Sequence, residues 1–294
     1  MATRAPRPRA KEKACDRAIK RTLAYSAVFQ YPLSEFQLYN FMITKNNFEY
    51  DFYSRSLRRL VKKKHVRAKD GKYYLPGVRP VSWKLRYKYS EDLLAEAEKS
   101  IRLLRVIPWI NMVAVTGAAA SYNAVKDDDI DIFIITKKNR LWLSRLFVFL
   151  ILKAVGKYAQ KGEGNKKLCC NLFADESGMK WQKEKQNIYV AREILNVLPF
   201  YDKNSAYFKF LQANSWALNH FYNFKIEFPK DFPEEKLNKS RVVNLLEKYA
   251  RKLQLDYMKD KKTTEITNKN FIHFNKHDHA KNILDEYKKN LSSI

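Results

Sequence analysis

Between residues 14 and 30 the apolar positions recur every three to four residues. Ile19, Leu23, Ala27 and Val28 share one side, which predicts an amphipathic helix. The stretch YPLSEFQLYNFMI follows, and Ser34, two residues after Pro32, is set to cap a second helix. DFYSRSLRRLVKKKHV predicts a third, with Leu57, Leu60 and Val61 inward and Arg55, Arg58, Arg59 and Lys62 near the opposite side. HVRAKDGKYYLPG then reads as a β-hairpin turning at Asp70-Gly71. Three helices and a hairpin are the order of a winged helix, whose third helix would enter a major groove. A glycine-free run rich in helix formers, SEDLLAEAEKSIRLLRV, predicts a long connecting helix that ends by Pro108.

The pattern then changes. NMVAVTG (Asn111–Gly117) reads as a short buried strand ending in glycine, AAASYNA as a helical turn, and IDIFIIT (Ile130–Thr136) as a second strand. The apolar run from Leu141 is a buried helix, and KLCCNLFADES (Lys167–Ser177) is a third strand. Helical spacing returns over 187–197, 204–222, 236–260 and 279–291. The expected fold class is therefore α+β. It comprises a disordered basic arm (1–13), a winged helix (14–78), a connector helix (79–107), a mixed-sheet domain (108–186) and a helical C-terminal region (187–294).

Charge adds a partner class. The chain carries a formal net charge of +26, and residues 1–90 hold 22 Lys and Arg against 6 Asp and Glu. Such a face favours polyanions, whether nucleic acid, acidic lipid or nucleotides, and the third helix could meet a nucleic-acid backbone, although many winged helices contact proteins instead. A lysine-rich composition of the source would give the same numbers. The remaining features narrow the setting. Three cysteines without CxxC spacing suit a reducing compartment, hence a cytoplasmic protein. The first residues, MATRAPRPRAKEK, lack the apolar core of a secretory signal. The run Leu141–Gly156 is too short to cross a membrane and contains Arg145 and Lys153, so no membrane association is expected. The absence of GxSxG, GxxxxGK[ST] and GxGxxG motifs removes serine hydrolases, P-loop ATPases and dinucleotide oxidoreductases.

Chemistry concentrates in TGAAASYNAVKDDDIDIFIIT. On a strand, Asp129 and Asp131 share one face, and Ile130 turns to the other. Two neighbouring carboxylates repel unless a cation lies between them, and Mg²⁺ takes oxygen ligands of this kind. Gly117 lets backbone approach a ligand closely. Elsewhere, His273 and His277 at i, i+4, with His279, form a weaker zinc candidate; a packed tail explains them better. Cys169 and Cys170 point to opposite faces of a strand and read as strand core.

The combination Gly117-Ala118, ten residues, then Asp129-Ile130-Asp131 between two strands resembles the nucleotidyltransferase-fold (polymerase-beta-like) superfamily. The chain is similar in particular to uncharacterised prokaryotic nucleotidyltransferases with an N-terminal winged-helix region. That likeness runs from YPLS through VTG, DDDIDIFIIT, RLW and the strand around Asn171 to ILDEY. It implies an enzyme that moves a nucleoside monophosphate from an NTP to an acceptor, which could be a small molecule, a protein or RNA. Asp129 and Asp131 would bind Mg²⁺; Gly117 and Ala118 would hold phosphates, and Asn123 would shape the turn. Lys137, Arg140 and Arg145, just past the strand, would lend positive charge, although surface salt bridging explains these three as well. Two departures stand out. Ala118 occupies the usual serine position, and Asn171 occupies the third-strand position where full polymerase-like members carry a third carboxylate; Asp175 and Glu176 lie too near the strand end to replace it. The alternative is therefore a winged-helix nucleic-acid-binding regulator whose degenerate domain senses nucleotide without turning it over.

Overall fold

The computed structural model describes residues 8–159, 166–233, 240–259, 266–274 and 279–294. Helix α1 (Pro8–Ala27) opens the described chain, so the arm expected over 1–13 is helical from residue 8 onward; residues 1–7 lie outside the described residues. Strand β1 (Leu33–Ser34), α2 (Glu35–Asn40), α3 (Tyr50–Lys62), β2 (Arg67–Lys69) and β3 (Lys72–Tyr74) complete an N-terminal unit. Its three strands pair in the order β1-β3-β2, all antiparallel. Ser34 does cap α2. Its Oγ accepts from Gln37 N at 3.2 Å while Gln37 Oε1 accepts from Ser34 N at 3.0 Å, a reciprocal capping box. Asp70 and Gly71 turn the hairpin with φ of +49° and +71°, the pair of left-handed residues that a tight hairpin needs.

Helix α4 (Trp83–Leu104) leads to β4 (Ile110–Val115), α5 (Gly117–Ala120), β5 (Ile130–Thr136), α6 (Leu141–Ala154) and β6 (Leu168–Asp175). Next come α7 (Ile188–Leu195), β7 (Leu198–Asp202), α8 (Ala206–Ala213), α9 (Arg241–Met258), β8 (Ile266–Thr267), β9 (Phe271–His273) and α10 (His279–Ser292). The second sheet runs β7-β4-β5-β6-β9-β8, with β5 and β6 parallel and every other pair antiparallel.

This sheet draws strands from the region 187–294 that was expected to be helical. That region is not helical throughout. It supplies β7 beside β4 and β9 beside β6, which covers backbone edges that β4 and β6 would otherwise leave unpaired. The helix expected over 204–222 also stops early, at Ala213. There the Asn214 side chain donates to Phe210 O and Met179 O and accepts from Trp181 N, so the chain turns into a 3₁₀ segment (Ser215–Asn219).

Strand alternation divides the interior in two. Val113, Val115, Ile130, Ile132 and Ile134 pack against Ala97, Ile101, Trp142 and Ala250 of α4, α6 and α9 on one face. Met112, Ala114, Phe133 and Ile135 point to the other face, toward α7, α8 and the core of the N-terminal unit. Asp131 therefore lies on the face shared with the N-terminal unit. Among the described residues, no helix is long and apolar enough to cross a membrane. The apolar run from Leu141 forms α6, held by its buried Leu141, Trp142, Leu143, Val148 and Leu152.

Candidate functional site

The aspartates begin β5. Thr116 N donates to Asp131 O at 2.9 Å, which extends the β4–β5 ladder up to the residue before Gly117. Gly117 has φ +64°, and a Cβ there would come within 3.0 Å of Asp131 Oδ2. The glycine is thus required twice, by its backbone conformation and by the carboxylate opposite.

On the other side of β5, the pairing with β6 slips by one residue. Asp131 lies across from Cys169, yet Phe133 lies across from Leu172. The extra residue is a bulge, and it re-aims the side chains that follow. Asn171 consequently faces Asp131, and its Nδ2 donates to Asp131 Oδ1 at 2.7 Å. Beyond, Phe274 N donates to Asn171 O at 2.8 Å, which pins the bulge from β9's side. One oxygen of Asp131 is thus held by an amide, and the other faces the gap that glycine leaves.

Asp129, Asp131 and Cys169 bring one potential ligand atom each within 4.8 Å of one another, a cluster that could hold a metal ion. The charges are costly without one. Burial first, then the neighbouring Asp129 and Glu193, push Asp131 up to about 7. Burial and Asp128 likewise raise Asp129, against a hydrogen bond from Cys169 that lowers it. Burial pushes the Cys169 thiol up, with the two aspartates adding to the effect, so the sulfur stays protonated and donates to Asp129. The remaining aspartates serve the turn. Asp128 Oδ2 accepts from Val125 N at 3.2 Å, and Asp127 is exposed with φ +60°.

A cleft of about 720 Å³ opens onto this cluster. Thr116, Gly117, Asp131 and Asn171 line one end, Trp181, His273 and Phe274 a wall, and Lys281 and Lys288 of α10 the far side. A smaller pocket of about 210 Å³ lies against the N-terminal unit; Gly117, Tyr189 and Glu193 border both spaces.

The expected residues divide accordingly. Gly117, Asp129, Asp131 and Asn171 come together. Ala118 and Asn123 line the smaller pocket and not the cleft. Lys137, Arg140 and Arg145 do not reach the aspartates: seven residues of strand, at about 3.3 Å each, separate the two ends of β5. Arg140 is buried and donates to Asn139 O and Asn244 Oδ1, and Arg145 donates to Gln254. Asp175 ties down loops, accepting from Asn139 N and from Ser177 N and Oγ. His273 is pushed down to about 4 by burial and packs edge-on against Trp181, as a neutral ring; His277 lies outside the described residues. On α3, Arg55, Arg58 and Lys62 are exposed, whereas Arg59 turns inward and bridges Asp16 at 2.7 Å and Glu12 at 3.5 Å of α1.

Four further residues belong to the site: Cys169, Glu193, Lys281 and Lys288. Cys169 was read as strand core, although alternation puts it on the face of Asn171. Glu193 follows Arg192 within the otherwise apolar IYVAREIL, an adjacent charge pair that was itself a signal. Lys281 and Lys288 reach the cleft only because α10 folds back, which no local pattern announces. No protein-family model matches this chain, and no curated protein matches it.

Proposed function

We propose that this chain is a Mg²⁺-dependent nucleotidyltransferase of the polymerase-beta-like type that moves a nucleoside monophosphate from an NTP to an acceptor. One observation carries the reading. Asp131 sits between a Cβ-less turn and an amide donor, with Asp129 beside it, at the mouth of a cleft with a nucleotide's volume. Asp129 and Asp131 would hold the ion. With the thiol of Cys169 kept protonated, the donor set is oxygen, which suits a hard cation. When bound, that cation would neutralise triphosphate charge. Asn171 fixes the direction of Asp131. Lys281, and Lys288 beside its ion-pair partner Asp285, offer positive charge to phosphates, and Trp181 and Phe274 offer flat surfaces to a base. The order of helices and strands in residues 8–74 supports a winged helix in front of this domain.

The test is incubation with each α-labelled NTP, Mg²⁺ and cell extract as acceptor pool, beside Asp129→Asn/Asp131→Asn. Label transferred by the wild type and not by the double variant supports the reading. Absence of transfer by folded wild type from all four nucleotides rejects it.

A second reading has its own observation. Asn171 cannot take a proton, so the position facing Asp131 lacks an acid, while Arg55, Arg58 and Lys62 expose a cationic helix face. A nucleic-acid-binding regulator that senses a nucleotide at Asp129 and Asp131 fits both facts. Metal-dependent NTP binding without transfer would favour it.

A further inference from the structure

The pocket of about 210 Å³ has a chemistry unlike that of the cleft. It lies between α1, β1 and α2 on one side and α5 and α7 on the other. Tyr25, Phe29, Tyr31, Phe41, Tyr189 and Phe221 wall it. At about 30 Å³ for each water of liquid, the space equals roughly seven waters, the scale of one amino acid and well short of a nucleoside triphosphate.

Its polar groups are mutually arranged yet unsatisfied. The Arg192 guanidinium lies over the Phe41 ring, 3.1 Å from its centroid, and its side chain makes no hydrogen bond or ion pair among the described residues. The Glu193 carboxylate makes none either; Arg192 acts on it through charge alone. Among the described residues the Tyr25 hydroxyl has no hydrogen-bond partner although the residue is only 7% exposed, and Asn123 Oδ1 is a second buried atom without one. Glu193 and Arg192 both act on Tyr25, so these groups face one region. A folded chain rarely leaves a guanidinium, a carboxyl group, a hydroxyl and an amide oxygen together in an aromatic pocket with no hydrogen bond to any of them.

We propose that this pocket binds an α-amino acid with a large apolar side chain. The carboxylate would meet the edge of Arg192, which stacking on Phe41 leaves open. The ammonium would meet Glu193 and Asn123 Oδ1, both acceptors. Tyr25 Oη would bond to either end, and the side chain would pack on the rings. Opposite charges one atom apart in the ligand match adjacent residues of α7. The proposal does not depend on chemistry at Asp129 and Asp131. It adds a second ligand space that meets the first at Gly117.

Calorimetric titration of the full chain, without nucleotide or metal, tests it. Phenylalanine and leucine are the ligands, with 3-phenylpropionate (no amine) and phenethylamine (no carboxylate) as controls. Expected is saturable binding of at least one amino acid, with each matching control at least tenfold weaker. Arg192→Met and Glu193→Gln should each weaken binding tenfold or more, and Tyr25→Phe, which keeps the ring, should weaken it measurably. Asp129→Asn should leave it unchanged, and a separate titration with NTP and Mg²⁺ should show that the same variant has lost nucleotide binding, which separates this proposal from the transferase reading. No saturable binding of phenylalanine or leucine to wild type that melts cooperatively would overturn it. So would controls that bind equally well, or binding indifferent to Glu193→Gln and Tyr25→Phe.

Discussion

Gly117 lies directly across from Asp131, so close that a Cβ on the glycine would fall within 3.0 Å of the aspartate Oδ2. Gly117→Ala therefore acts on the carboxylate and not only on a turn. The backbone, at φ +64°, is also strained for any residue with a Cβ. Divalent-cation affinity should fall at least about tenfold, equal to roughly 1.4 kcal/mol, with loss of any nucleotide transfer. Titration with Mn²⁺ followed by electron paramagnetic resonance reads this directly. Unchanged Mn²⁺ affinity would mean that Asp131 Oδ2 is not the ligand atom.

Asn171→Asp replaces the amide that donates to Asp131 Oδ1 with a third acid. Without metal, the new charge faces two carboxylates, Asp129 and Asp131, already raised by burial. The melting temperature in chelator should therefore drop by several degrees. With Mg²⁺ the variant should recover more than wild type, because a third oxygen ligand adds to the site. Thermal melts with and without Mg²⁺ check both halves. A variant whose melt does not respond to Mg²⁺ would remove Asn171 from the metal's surroundings.

Much of this arrangement was readable in the chain, and the failures have a common cause. Glycine, spacer and Asp-Ile-Asp are local, so β4, the α5 turn and β5 followed from period-two alternation and one turn residue. The facing of Asn171 toward Asp131 depends on a bulge in β6, which is set by how β5 and β6 register and leaves no mark on spacing. The strands β7, β8 and β9 are five residues or shorter and form by pairing to a sheet already present. Arg59 was grouped with Arg55 and Arg58 by helical spacing; only the docking of α1 shows it bonded to Asp16.

The split on α3 is measurable. Arg55→Ala/Arg58→Ala/Lys62→Ala removes three exposed cations and should leave the melting temperature nearly unchanged. If this face contacts a nucleic-acid backbone, the slope of log K against log salt should shrink by about 0.9 per lost phosphate contact. Arg59→Ala should do the reverse, with a loss of about 1 kcal/mol or less of stability and little change in the slope. Fluorescence anisotropy of a duplex at several salt concentrations, with melts of each variant, distinguishes them. An equal effect of both variants on the slope would contradict the inward placement of Arg59.

Burial raises Asp131 and Glu193 each to about 7, from ordinary values of 3.8 and 4.5. For Asp131 the Asp129 charge adds to the effect, and for Glu193 the Arg192 charge opposes it. The sign follows from proton counts. Between the unfolded and folded values, the folded chain keeps protons that the unfolded chain has released, so stability falls as pH rises through this window and levels off above about 7. In chelator, wild type should thus lose melting temperature between about pH 5 and 7.5 by more than Asp131→Asn, which has no proton to lose there. Mg²⁺ should restore the difference at the upper pH, because a cation binds the ionised carboxylates and its affinity grows as they deprotonate. Glu193→Gln should remove its own share of the loss without reducing the Mg²⁺ response. If Asp131→Asn and wild type lose stability in parallel over this range, Asp131 is ionised throughout, and the pair it forms with Asp129 is less closely held than the geometry around Gly117 implies.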